Sequence, residues 1–76
     1  MLKTKVLLDY MDKVREFVAA ARKEDYPVEL TSGDKTVDAK SITNVFALDL
    51  TRPLTVTAYS DTTAELFREI RKFIVK

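Results

Sequence analysis

The apolar residues of this 76-residue chain repeat alternately at two and at about 3.6 positions, in seven short segments, and that alternation leaves few folds open. Leu2, Thr4, Val6 and Leu8 alternate with Lys3, Lys5 and Leu7, which predicts a half-buried first strand. Asp9 or Asp12 can cap a helix that follows, with Met11, Val14, Phe17, Val18 and Ala21 at helical spacing and Lys13, Arg15, Glu16 and Arg22 on the wet side. That helix ends before Pro27. Val28 and Leu30 alternate with Glu29 and Thr31, and Thr36 to Ala39 alternates again. The single glycine lies between them in Ser32-Gly33-Asp34-Lys35, which predicts a hairpin.

From Ser41, the spacing of Ile42, Val45 and Phe46 fits a short helix, and Thr51-Arg52-Pro53 marks the exit because proline cannot continue one. Leu54, Val56 and Ala58 alternate with Thr55, Thr57 and Tyr59 in a fourth strand. Ser60-Asp61-Thr62-Thr63 offers caps for a last helix with Leu66, Phe67, Ile70, Phe73 and Ile74 on its apolar side. The order β-α-β-β-α-β-α, without repeats or linkers, predicts an α+β domain over 1–76, an antiparallel sheet covered on one face by helices. A ferredoxin-like split β-α-β with an added helix is the competing topology.

Composition narrows the chemistry. With 13 basic and 12 acidic residues interspersed, no basic stripe points to nucleic acid, and no apolar run reaches the roughly 20 residues of a membrane span. The apolar start stops at Asp9, too short for a secretory signal, so a cytoplasmic protein is expected. There is no cysteine, which removes disulfides and thiolate chemistry, and no histidine, the commonest acid/base group and metal ligand. Asp9, Asp12, Asp34, Asp38 and Asp49 lie on different elements without metal-ligand spacing and read as caps, turns and surface residues. No enzyme, cofactor or metal site is expected.

Four segments carry a resemblance: Phe17-Val18, Val28-Glu29-Leu30-Thr31-Ser32, Ala39-Lys40-Ser41-Ile42 and Leu48-Asp49-Leu50. With the order of elements, they make the chain similar to the HPr family, the histidine-containing phosphocarriers of the bacterial sugar phosphotransferase system. The resemblance implies an HPr-like open-faced β-sandwich, four antiparallel strands with three helices on one face, in which strand one pairs with strand four. HPr proteins carry Gly-Leu-His-x-Arg-Pro before the first helix, and their histidine accepts phosphate from phosphoenolpyruvate through Enzyme I. Counting back from Phe17 puts Tyr10 at the histidine, Asp12 at the arginine and Lys13 at the proline, and the preceding loop is shorter. A phenolic phosphate ester is too stable to serve a carrier, so the chain resembles Crh-like members that lack the histidine and act in regulation.

The family's regulatory serine falls at Ser41, where the hydroxyl suits a helix N-cap and a phosphate meets the favourable dipole end, with Lys40 beside it. The resemblance names HPr kinase as the modifying enzyme and a transcriptional regulator or metabolic enzyme as protein partners. It also implies a partner surface of Tyr10, Met11, Ile42, Thr43 and Phe46, since HPr proteins expose apolar side chains around the second helix. At Phe46 the spacing leaves two readings open: a ring tipped into the core, or a ring on the outer side of the helix. A phosphocarrier retained by descent and a small-ligand module of ferredoxin-like topology remain as alternatives.

Overall fold

A computed structural model describes residues 1–75. Its elements run β1 (Leu2–Val6), α1 (Met11–Arg22), β2 (Val28–Ser32), β3 (Lys35–Asp38), α2 (Ile42–Phe46), β4 (Leu54–Ala58) and α3 (Ala64–Ile70), followed by a 3-10 turn over Arg71–Phe73. The four strands form one antiparallel sheet in the order β1-β4-β2-β3. Strand one pairs with strand four and lies at an edge, whereas the ferredoxin-like arrangement sets the first strand inside the sheet. The strand order therefore removes that competing topology.

Alternation decides the two faces. Leu2, Thr4 and Val6 lie opposite Ala58, Val56 and Leu54, which continue across to Val28 and Leu30 on β2, and Val37 of β3 completes that side. The three helices cover it. Lys3, Lys5, Thr55, Glu29, Thr31, Thr36 and Asp38 take the opposite, open face, where polar side chains meet water, whereas Thr57 on the same face is buried. The β2–β3 hairpin closes through Gly33-Asp34 with Gly33 at φ 61° and no positive φ at Asp34, as in a type II′ turn led by glycine.

Beneath the helices one apolar cluster holds every element. Val14, Phe17, Val18, Ala20 and Ala21 of α1 meet Val6, Leu30, Leu54 and Val56 of the sheet, with Leu66, Ile70 and Phe73 closing one end and Val45 and Leu48 the other. Phe17 is the largest of the fully buried side chains. Lys23, at the C-cap of α1, pairs with Glu69 of α3 (2.7 Å), and Lys72 of the 3-10 turn pairs with Glu16 of α1 (2.8 Å), across exposed rims.

The structure differs from the sequence expectations in several places. Strand one ends at Val6, because Leu7 turns its N–H to the carbonyl of Phe73 (2.9 Å). Neither Asp9 nor Asp12 caps α1; Tyr10 stands at the N-cap without a side-chain bond, and Asp9 is held by Lys13 instead. Met11, placed by its spacing on the apolar side of α1, is 57% exposed. The last helix stops at Ile70 rather than running through Ile74. Ile74 bridges to Val6, and the Val75 N–H reaches the Lys5 carbonyl (2.9 Å), so the C-terminal segment covers part of the outer edge of β1. An edge strand with free backbone groups gains from such cover.

Candidate functional site

At the start of α1 the chain leaves β1 through buried Leu8 and turns at Asp9 into an extended Tyr10 (φ −127°, ψ 149°), whose carbonyl receives the N–H groups of Lys13 (3.0 Å) and Val14 (3.2 Å). The carbonyl thus starts the helix while the ring points outward, 68% exposed. Lys13, one turn on, sets its ammonium 2.8 Å from the Asp9 carboxylate and 5.3 Å from the centroid of the Tyr10 ring. Its hydrogen bond lowers the Asp9 pKa, so Asp9, Lys13 and Tyr10 form a self-satisfied cluster. Asp12 adds a negative charge to the first turn, favourable to the helix dipole and unfavourable to an arriving phosphoryl group.

Ser41 stands at the N-cap of α2, half-buried, with its carbonyl receiving the Val45 N–H (3.0 Å). Its hydroxyl makes no cap hydrogen bond, contrary to the sequence expectation. With α2 only five residues long, Thr43 and Asn44 are exposed and water can take up their N–H groups. Lys40 is also committed elsewhere: its ammonium donates to the Glu24 carbonyl at 2.7 Å, tying the α2 entrance to the end of α1. A phosphate on Ser41 would therefore find a short helix start without a preplaced lysine.

Within α2, Val45 alone is fully buried, which puts the adjoining Phe46 ring, about 100° further round the helix, on the outer side at 42% exposure. Ile42 packs against the core while half-exposed, and Thr43 faces solvent. Tyr10 and Met11 open α1, Ile42, Thr43 and Phe46 belong to α2, and the two helices pack on each other. Among the described residues no group of three or more Asp or Glu side chains converges as a metal site. No helix among them is long and apolar enough to cross a membrane.

Sequence reasoning missed three features. Tyr59 donates to Glu29 on the open face (2.7 Å), which raises its pKa. Tyr26 lies buried against the core and donates to Glu24 (3.2 Å); burial first, then that bond, push its pKa up to about 12. Phe67, placed by its spacing in the core, is 41% exposed beside Leu2 and Ala64. A short helix with a β-bridged continuation gave no local signal for that exposure.

No protein-family model matches the sequence, and no curated protein matches it. Among solved structures, the chain is similar to the crystal structure of HPr-C-His from Thermoanaerobacter tengcongensis. The TM-score is 0.78 at 19% identity, over 95% of this chain and 89% of that one. The fold is thus the HPr-like α+β open-faced sandwich, four antiparallel strands and three helices. At that identity the likeness speaks for the architecture alone. This chain carries it without any histidine.

Proposed function

We propose that this protein is a non-catalytic, Crh-like member of the phosphocarrier family that works in the cytoplasm through protein–protein contacts, without histidine phosphotransfer. The observation that carries this reading is the pairing of an HPr-like fold with exposed Tyr10 where the resemblance puts the phosphoryl-accepting imidazole. A phenol forms an ester too stable to pass on, and Asp12 repels the incoming group. The partner surface is Tyr10, Met11, Ile42, Thr43 and Phe46. Rings and a thioether at 42–68% exposure support it, since desolvating such groups drives docking.

Ser41 is the proposed phosphorylation site, with HPr kinase as the modifying enzyme and a transcriptional regulator or metabolic enzyme as the partner. Support comes from its half-buried place at a loop-to-helix junction with its hydroxyl free of any cap bond, although the diverted Lys40 leaves a phosphate there only modest local stabilisation. Incubation with ATP and HPr kinase tests this part by intact mass. A single phosphate lost in Ser41→Ala is the expected result, and no gain, or a gain that persists in Ser41→Ala, contradicts it. Incubation with phosphoenolpyruvate and Enzyme I tests the absence of phosphotransfer: no label is expected, whereas a label that can be chased to a sugar acceptor returns the chain to the carriers.

A further inference from the structure

Lys40 holds the entrance of α2 against the far end of α1. Its side chain is half-buried, and the ammonium donates to the Glu24 carbonyl at 2.7 Å, 16 positions earlier. That carbonyl lies two residues past α1, at the negative end of the helix dipole, where a cation is favoured. Glu24 is gripped a second time, since its carboxylate accepts the hydroxyl of buried Tyr26 at 3.2 Å. Lys40 also walls a cleft of about 440 Å³ between this α1–β2 link and β3, with Asp25, Tyr26, Pro27, Val37 and Asp38 among its lining.

The next residue is Ser41, whose hydroxyl makes no cap bond. Within residues 37–45 Lys40 is the one cation, and Asp38, whose carboxylate accepts the Lys40 backbone N–H at 2.9 Å, is the one anion. Transfer of the γ-phosphoryl group of ATP to Ser41 Oγ releases ADP and a proton and leaves a group of about −2 charge near Asp38. Neighbouring Cα atoms are about 3.8 Å apart, so the ammonium reaches that phosphate by rotating its own side chain. A dianion attracts the ammonium by charge as well as by hydrogen bonding, and a neutral carbonyl by the hydrogen bond alone.

We propose that Lys40 is a latch on the end of α1 that a phosphate on Ser41 opens. The ammonium turns from the Glu24 carbonyl to the phosphate, the link from Glu24 to Pro27 loosens, and the cleft at Tyr26 widens. What the phosphate gains, the end of α1 loses. Modification at α2 is thereby readable on a second face, since no lining residue of that cleft belongs to the α1–α2 surface proposed above. The latch rests on Ser41 as the modified residue, and its test dispenses with the kinase so that the two readings fail separately.

For that test, phosphoserine is placed at position 41 of the isotope-labelled full chain during translation. NMR reads the Glu24 carbonyl carbon and hydrogen exchange of the Lys23 and Glu24 amides, which bond the Ala20 and Ala21 carbonyls at 3.3 and 3.2 Å. The phosphorylated chain is expected to show a shifted Glu24 carbonyl and about tenfold faster exchange at both amides than the parent. Lys40→Met without phosphate is expected to reproduce both changes, and phosphoserine added to Lys40→Met to change neither further. Lys40→Ala takes the place of Lys40→Met if the latter does not melt cooperatively. The proposal is overturned if phosphoserine leaves Glu24 as in the parent, if the folded Lys40 variant does so, or if phosphoserine keeps its full effect once Lys40 is replaced.

Discussion

The α1–α3 side and the α1–α2 side of this molecule cover the same sheet with different means. Along α3 and the 3-10 turn that follows it, Leu66 and Ile70 are wholly buried, Phe73 is nearly so, and two ion pairs reach Lys23 and Glu16. Along α2, one residue in five is fully buried, the cap hydroxyl is unused, and Phe46 faces water, as do Tyr10 and Met11 at the start of α1. Apolar area spent on the outside does not hold a fold together. The contrast separates a side that sustains the structure from a side that leaves apolar surface exposed.

Substitution can break that contrast. Leu66→Ala, on the sustaining side, should cost about 3–5 kcal/mol in urea unfolding, because a fully buried leucine leaves a cavity. Val45→Ala should cost less, roughly 2 kcal/mol for the methyl groups removed, yet loosen all of α2, which hydrogen exchange of Ile42–Phe46 would register. Phe46→Ser should cost under about 1 kcal/mol; a loss as large as that of Leu66→Ala would mean that the ring belongs to the core after all.

Alkaline titration probes the buried Tyr26. Its folded pKa is raised to about 12 from an ordinary value of 10.0, so the folded state keeps the phenol proton that the unfolded chain releases. The stability this confers is complete below pH 10 and is lost as pH climbs toward 12. The Tyr26→Phe variant should show a shallower decline over that interval, and an unchanged slope would place the phenol in water. The smallest effect is expected at Ser41→Ala, within about 0.5 kcal/mol rather than the usual ~1 kcal/mol of an N-cap, since no cap bond is there to lose.

The strands, the hairpin at Gly33 and the first two helices were legible because each has a local signature: period two, a turn glycine, or apolar residues three and four apart. The end of the chain was not. Ile70, Phe73 and Ile74 have helical spacing, yet Ile74 is claimed by Val6, 68 positions earlier, and no local pattern announces such a partner. Caps were equally opaque: Asp9 could bond the helix N–H groups or Lys13, and an ammonium 2.8 Å away holds it. Phe46 was undecided in sequence because a helix of little more than one turn fixes one buried position, which Val45 takes. Ser41, Tyr10, Met11, Ile42 and Thr43 were chosen by resemblance; the fold exposes Tyr10, Met11 and Thr43 and leaves Ser41 and Ile42 half-buried, and the role of all five rests on chemistry still to be tested.

Calorimetry with a partner purified on this protein, comparing the parent with Phe46→Asp and Met11→Asp variants of matched melting temperature, addresses the central claim most directly. The account predicts at least about a tenfold loss of affinity for each, because an exposed apolar contact is replaced by a charge that must be desolvated. Unchanged affinity in both variants would contradict it and move the working surface away from α1 and α2.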